Sequence, residues 1–225
     1  MTNTLKKITS VFALLAGLGI PAANALNVQS KATTEQQIQQ FKEYYASGSY
    51  FKDIERKLYD AKDYLDRQLQ QPRHNRLAVV LDIDETALSN FRNLEQLSFT
   101  HNVSALAGSL ISANSDAIPA VLAFYQHAIA RNVAVFFISS RPSTAEFLEA
   151  TAKNLKKVGY DQWEGLILKP IDKDEISVAE FKMNTRRRLA LTYDIVLNIG
   201  DQEADFEGGY AEANVRLPNP FYGIS

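Results

Sequence analysis

Three carboxylates, Asp82, Asp84 and Glu85, fall within four residues at the end of an apolar run spanning 77–83. Like charges this close repel, and burying them is costly unless a cation or a set of donors compensates. Further along the chain, comparable residues follow other apolar runs. Ser139, Ser140 and Arg141 close one such run, and Gly200-Asp201 closes another, with Asp205 four residues on. Lys182 stands about a helix length before that last run, and Lys169 ends a shorter run before Pro170. A hard divalent cation with oxygen ligands suits carboxylates gathered in this way, and Mg²⁺ is the natural choice. An EF-hand does not fit, because no glycine stands at the required place after Asp84 and no glutamate closes a loop of twelve. A hydroxyl (Ser139) and an ammonium suit a phosphate. Together these groups predict phosphoryl transfer through an aspartyl-phosphate. The residue types alone do not rank Asp82 against Asp84.

These residues can meet only if the runs that carry them lie side by side. The 77–83 run is continuous and apolar, as a strand buried on both faces requires. Residues 119–130 predict a helix, 133–138 a second buried strand, and 143–159 a helix capped by Ser143 with Glu146 and stopped at Gly159. A short strand is predicted over 166–168, a helix opened by Ser177 with Glu180, a strand over 194–199, and an edge strand over 215–217. Alternation of this kind predicts an α/β fold, a Rossmann-like parallel sheet with helices on both faces. In such sheets ligands bind at the carboxyl ends of the strands, where Asp82, Asp84, Ser139 and Asp201 all fall.

Residues 91–116 interrupt the rhythm and predict a small helical cap inserted above that edge, within a core spanning 77–225. Residues 26–76 predict an N-terminal helical segment. Thr34 with Gln37 would open its first helix and Gly48 would stop it. Ser49 would start a second helix with the stripe Ile54, Leu58, Ala61, Leu65 and Leu69, ended by Pro72. Tyr44, Tyr45, Tyr50 and Tyr59 read as amphipathic packing.

Residues 1–25 carry Lys6 and Lys7, an apolar stretch over 8–20, then Pro21 and Ala23-Asn24-Ala25. This is the pattern of a signal peptide cut after Ala25, which predicts a periplasmic or secreted protein. Without it, 22 basic residues face 26 acidic ones, a net charge of −4. A mildly acidic chain with no basic stripe argues against nucleic-acid binding. The sequence contains no cysteine. That excludes disulfides, thiolate chemistry and a lipid anchor on cysteine, so no membrane anchor is expected.

With these motifs assembled, the sequence resembles the haloacid dehalogenase (HAD) superfamily of phosphatases. The matching segments are Leu81-Asp82-Ile83-Asp84-Glu85-Thr86, Phe136-Phe137-Ile138-Ser139-Ser140-Arg141, Phe181-Lys182 and Gly200-Asp201-Gln202-Glu203-Ala204-Asp205-Phe206. The Asp-Ile-Asp-Glu-Thr form, the acidic pair and the ending Leu217-Pro218-Asn219-Pro220-Phe221-Tyr222-Gly223 are similar to the class C bacterial acid phosphatases of subfamily IIIB, across roughly residues 34–225. That resemblance implies an acid phosphatase acting on small phosphomonoesters, with 5′-nucleotides as candidates. It implies Asp82 as nucleophile and Asp84 as the acid and base. Mg²⁺ would be held by Asp82, the Asp84 backbone carbonyl, Asp201 and Asp205, the last directly or through water. Ser139 and Lys182 would bind phosphoryl oxygens, with Lys182 preferred over Lys169 by its place before the acidic strand. Where many relatives carry Ser-Asn-Arg, this chain has Ser139-Ser140-Arg141.

The rival reading is a non-enzymatic binding or storage protein on the same fold, which loss of Asp82 or Asp84 would have signalled. A receiver domain also uses acids, a hydroxyl and a lysine, but the leader and the second carboxylate at Asp84 argue against it. Glu85 reads as a turn or helix-start residue rather than a ligand. Asp172, Asp174 and Glu175 read as a solvated loop, and Arg186, Arg187 and Arg188 as an exposed helix face. Arg186 does share a face with Lys182, four residues before it. His74, His101 and His127 fit no catalytic pattern. Phe91 and Phe99 fit stacking on a substrate ring and packing within the insertion equally well.

Overall fold

The computed structural model describes residues 22–99, 103–171 and 176–222. Its elements in chain order are α1 (Ala22–Ala46), α2 (Ser49–Gln68), β1 (Arg76–Leu81), β2 (Leu88–Ser89), α3 (Phe91–Gln96), α4 (Val103–Ile111), β3 (Asp116–Ala117) and α5 (Pro119–Ile129). There follow β4 (Ala134–Pro142), α6 (Ala145–Lys157), β5 (Gly165–Lys169), α7 (Val178–Leu189), β6 (Tyr193–Gly200), a 3-10 turn (Glu203–Asp205) and β7 (Ala213–Arg216).

Five strands form one parallel sheet in the order β5-β4-β1-β6-β7. β1 is central, and the chain departs to β4 on one side and β6 on the other. This is the switch point where an open α/β sheet leaves a crevice at its carboxyl edge. Register carries the chemistry there: Leu81 pairs with Phe137 and Ile199, and the Asp82 amide donates to the Ile199 carbonyl at 2.9 Å. Asp82, Ser139 and Asp201 therefore emerge within two residues of one line across three adjacent strands.

Alternation along β1 divides the core. Leu77, Val79 and Leu81 face a large apolar cluster with Ile54 and Leu65 of α2, Phe124 of α5 and Leu155 of α6. Ala78 and Val80 face a smaller cluster with Phe136, Ile138 and Phe181 of α7. Helices thus cover both faces, as the sequence predicts. The α2 stripe is borne out, with Ile54, Leu58, Ala61 and Leu65 buried and Leu69 packed beside them. Each such side chain contributes about 1.5–3 kcal/mol. Gly48, at φ 75°, separates α1 from α2 in the left-handed conformation that glycine tolerates.

The insertion is helical, built from α3 and α4, and its two ends are zipped by antiparallel pairing of Leu88 with Ala117 and Ser89 with Asp116. Among the described residues no helix is long and apolar enough to cross a membrane.

Several local expectations are corrected. α1 runs through Thr34 instead of starting there, since no proline or glycine between 22 and 46 breaks it. The cap of α6 is Thr144, whose Oγ1 accepts from the Phe147 amide at 3.2 Å. Ser143 is displaced from that role because its amide continues the sheet, donating to the Lys169 carbonyl at 2.8 Å. β4 accordingly extends to Pro142, with a bulge after Ser139. The Ser177 cap of α7 is as predicted, accepting from the Glu180 amide at 3.1 Å. Tyr45 and Tyr50 pack in an aromatic cluster with Phe91 and Phe221, but Tyr59 is exposed.

Candidate active site

β1, β6 and α7 bring Asp82, Asp201, Asp205 and Lys182 to the carboxyl edge of the sheet, all four buried. One carboxylate oxygen from each of the three aspartates lies within 4.8 Å of the others. Lys182 Nζ bridges Asp82 and Asp205. A single ammonium does not neutralise three carboxylates. Burial, opposed by Lys182 and reinforced by Asp205, Asp201 and Asp84, raises the Asp82 carboxyl well above the usual range. Asp201 is also raised by burial, against the lowering effect of its hydrogen bonds. Burial disfavours the Lys182 charge, yet Asp82 and Asp205 together push its proton affinity upward.

Asp201 and Asp205 are oriented by their own surroundings. Thr86 Oγ1 donates to Asp201 Oδ1 at 3.1 Å, and Asn219 Nδ2 donates to Asp201 Oδ2 at 2.7 Å. Asp205 Oδ2 accepts from the amides of Asp201 and Gln202 at 3.0 and 2.8 Å, across the 3-10 turn. Gly200 has no side chain because a Cβ there would run into the Asp205 carboxylate. Arg186 corrects the reading of an exposed arginine triplet. It is 1% exposed and donates to the backbone carbonyls of Asp205, Glu207 and Gly209, while Arg187 and Arg188 remain exposed. Its spacing of four from Lys182 was the signal for that inward turn.

Asp84 has a separate environment. Arg141 grips it in bidentate fashion, with Nε donating to Oδ2 at 3.0 Å and Nη2 to Oδ1 at 2.7 Å. Asn90 Nδ2 adds a donor to Oδ1 at 2.6 Å. Burial would raise the Asp84 carboxyl, but Arg141 and Asn90 override it and hold Asp84 below its ordinary value. Asp82 and Asp84 are thus pushed in opposite directions.

Glu85 is not a plain turn residue. It is fully buried at φ 53°, an uncommon backbone conformation for a side-chain-bearing residue. Its carboxyl accepts from the Asn90 amide at 2.6 Å and from the Tyr222 hydroxyl. Burial, then the Asp84 charge, pushes Glu85 up to about 8. The sequence reading assigned no role to Asn90, Asn219 or Tyr222. The last two lie in the quoted C-terminal motif, which was the available signal.

Ser139 is fully buried, and its Oγ accepts from the Arg141 amide at 3.2 Å. A cavity of about 540 Å³ opens over the site, lined by Asp82, Asp84, Arg141, Lys182, Asp201 and Asp205. Leu106, Ala107 and Leu110 of the insertion and Phe147 of α6 form an apolar wall. Lys169 instead lines a smaller hollow with Arg187 and Arg188. Phe91 and Phe99 are buried in the aromatic cluster, where Phe91 stacks on Tyr45 with ring centres 3.8 Å apart. His127 pairs with Asp66 at 2.7 Å, and His74 is exposed. The readings of His101, Asp172, Asp174 and Glu175 lie outside the described residues.

The family model for the HAD superfamily, subfamily IIIB (acid phosphatase), matches residues 4–225. The class C acid phosphatase from Bacillus anthracis superposes with a TM-score of 0.72 at 25% identity, covering 84% of this chain and 86% of that one, and a second structure of it has tungstate bound. The stem 28 kDa glycoprotein of Glycine max is 33% identical over 158 residues, 67% of this chain and 61% of that protein. Vegetative storage protein 1 of Arabidopsis thaliana is 32% identical over 150 residues, 64% of this chain and 54% of that protein. Acid phosphatase 1 of Solanum lycopersicum is 26% identical over 198 residues, 81% of this chain and 72% of that protein. The match thus spans 61% and 54% of the lengths of the stem glycoprotein and the storage protein. The resemblance read from the motifs is borne out over nearly the whole sequence: the chain belongs to subfamily IIIB of the HAD superfamily, the acid phosphatases.

Proposed function

We propose that this protein is a Mg²⁺-dependent phosphomonoesterase that works through an aspartyl-phosphate on Asp82. The observation carrying this reading is the buried group of Asp82, Asp201, Asp205 and Lys182 at the floor of a cavity that Asp84 also lines. Three buried carboxylates and one ammonium leave uncompensated negative charge, which fits an oxygen-liganded divalent cation. Asp82, Asp201, Asp205 and the Asp84 backbone carbonyl would hold it. When bound, Mg²⁺ supplies the positive charge that lets a phosphate dianion approach a carboxylate.

In this reading Asp82 attacks phosphorus, and the bond from phosphorus to the leaving oxygen breaks. Asp84 gives that oxygen a proton, releasing an alcohol. Arg141 favours ionised Asp84 in the empty cavity, whereas an arriving phosphoryl dianion raises its proton affinity. Asp84 then takes a proton from water as that water attacks the aspartyl-phosphate. Inorganic phosphate leaves and Asp82 is restored. Lys182 and Ser139 hold the equatorial oxygens.

The apolar wall from Leu106, Ala107, Leu110 and Phe147 suits a small organic leaving group. Among the described residues the cations lining the cavity are Arg141 and Lys182, each tied to an aspartate, which favours monoesters over polyphosphates. 5′-Nucleotides are candidate substrates. The leader pattern in residues 1–25 supports export; its residues 1–21 lie outside the described residues, and Ala22–Ala25 form the start of α1.

Asp82→Asn is expected to abolish turnover of p-nitrophenyl phosphate with an unchanged circular dichroism spectrum, and EDTA to inhibit wild type reversibly. Full activity in that variant, or after exhaustive chelation, removes the assignment. The name of the Arabidopsis thaliana relative supports a second reading, a storage protein. No hydrolysis across a panel of phosphomonoesters with Mg²⁺ present would favour it.

A further inference from the structure

A chain of buried polar groups runs behind Asp84, and apart from Arg141 the proposed chemistry does not use it. Asn90 Nδ2 donates to Asp84 Oδ1 at 2.6 Å, and Asn90 Oδ1 accepts from Ser115 Oγ at 2.6 Å. Ser115 Oγ also accepts from Asn93 Nδ2 at 3.4 Å. The backbone of Ser115 is held at both ends by one side chain. Its amide donates to Asn154 Oδ1 at 2.9 Å, and its carbonyl accepts from Asn154 Nδ2 at 2.7 Å. On the other side of Asp84, Arg141 Nη1 donates to Thr151 Oγ1 at 3.0 Å. Thr151 and Asn154 lie three residues apart on α6 and share a face. Two routes therefore leave the Asp84 carboxylate and end on one helix. Asn90, Ser115, Arg141, Thr151 and Asn154 are each no more than 4% exposed.

Such a ring has a specific mechanical consequence. An ionised carboxylate accepts only from the NH₂ of an amide side chain, but a protonated carboxyl can also donate to the amide oxygen, and the partner on the far side helps to hold one orientation through both states. The Ser115 hydroxyl occupies the Asn90 oxygen, so the NH₂ is left for Asp84 at 2.6 Å and, more loosely, for Glu85 Oε2 at 3.3 Å. Asn90 and Ser115 also stand at the two ends of the insertion whose α4 forms the apolar wall of the cavity. The seat of the insertion and the aim of Asp84 are thus built from the same hydrogen bonds.

We infer that Ser115, anchored by Asn154, is a positioning residue that orients Asp84 through Asn90 for proton transfer to the leaving group. This inference rests on Asp84 acting as the general acid. A displaced acid matters most when the departing oxygen is a poor leaving group, and hardly at all when it leaves readily as an anion.

The experiment compares kcat/KM for an alkyl phosphate and for p-nitrophenyl phosphate, since kcat/KM reports events up to departure of the alcohol. Ser115→Ala removes only the hydroxyl and keeps the backbone pairing with Asn154. It is expected to lower kcat/KM for the alkyl ester by about tenfold and for the nitrophenyl ester by about twofold or less, within the range that general acid catalysis supplies. Ser115→Thr retains the hydroxyl and is expected to restore most of the alkyl activity. Asp84→Asn is the reference and is expected to show the same bias more strongly. If Asp84→Asn shows the bias and Ser115→Ala lowers both substrates equally, or neither, the positioning role is overturned. If Asp84→Asn itself shows no bias, the general-acid reading falls and the inference falls with it. Should Ser115→Ala misfold, Asn90→Ser, which shortens the donor beside Asp84, must show the bias instead, and equal losses there also overturn the proposal.

Discussion

Glu85→Gln is expected to stabilise the metal-free protein at pH 8 and to change it little at pH 5. Glu85 is fully buried, and burial with the Asp84 charge lifts its carboxyl from an ordinary 4.5 to about 8. Between those values the native state keeps a proton that the unfolded chain has released. Raising the pH therefore draws the equilibrium toward the unfolded state, and the cost is complete once the folded carboxyl has ionised. The interval from 4.5 to about 8 corresponds to about 5 kcal/mol at roughly 1.4 kcal/mol per pH unit. Relaxation around the charge reduces this, so a difference of about 2 kcal/mol or more between the two proteins at pH 8 is the expected reading. That is a large part of a typical folding free energy of about 5–15 kcal/mol. Glutamine imitates the protonated acid: its oxygen can still accept from the Asn90 amide, and its NH₂ can donate to the Tyr222 oxygen, a hydroxyl that can reverse its role. Urea unfolding of both proteins in excess chelator, at pH 5 and pH 8, measures the difference directly. Parallel pH profiles for the two proteins, or a variant less stable at both pH values, would refute the argument that Glu85 is held neutral.

Other outcomes follow from the same geometry. Arg186→Met should cost about 2 kcal/mol or more in urea unfolding, because the guanidinium's charged bonds to the buried Asp205 carbonyl and the half-buried carbonyls of Glu207 and Gly209 are lost; a loss under 1 kcal/mol would show that water replaces the guanidinium. Gly200→Ala places a methyl group against the Asp205 carboxylate and should weaken Mg²⁺ binding about tenfold or more by calorimetry, so unchanged affinity would take Asp205 out of the ligand set. Mg²⁺ at about a hundredfold its Kd should stabilise wild type by about 2.7 kcal/mol, and Asp201→Asn should lose most of that gain in a thermal scan.

The α/β alternation, the strand-end aspartates and the cap of α7 were legible in the sequence because each is encoded over a few adjacent residues. An apolar run of six or seven residues that ends in carboxylates states both a buried strand and the edge where its charges surface. The likeness of residues 217–223 to a family motif was equally plain, although what those residues touch was not. The aim of each side chain was left to the tertiary structure. Arg141 and Asp84 are separated by 57 positions, Tyr222 and Glu85 by 137, and the Ser115 hydroxyl meets Asn90 across 25. No local periodicity specifies such pairs, because they form only when strand register and helix docking bring distant faces together. The same holds for burial of charge. Three consecutive arginines on a helix read as a solvated face, yet the rotation of α7 against the loop at 205–209 turns one of them into the interior. Chain pattern determined where the acids emerge, and packing decided which of them are neutralised, which stay charged and which neighbours hold them.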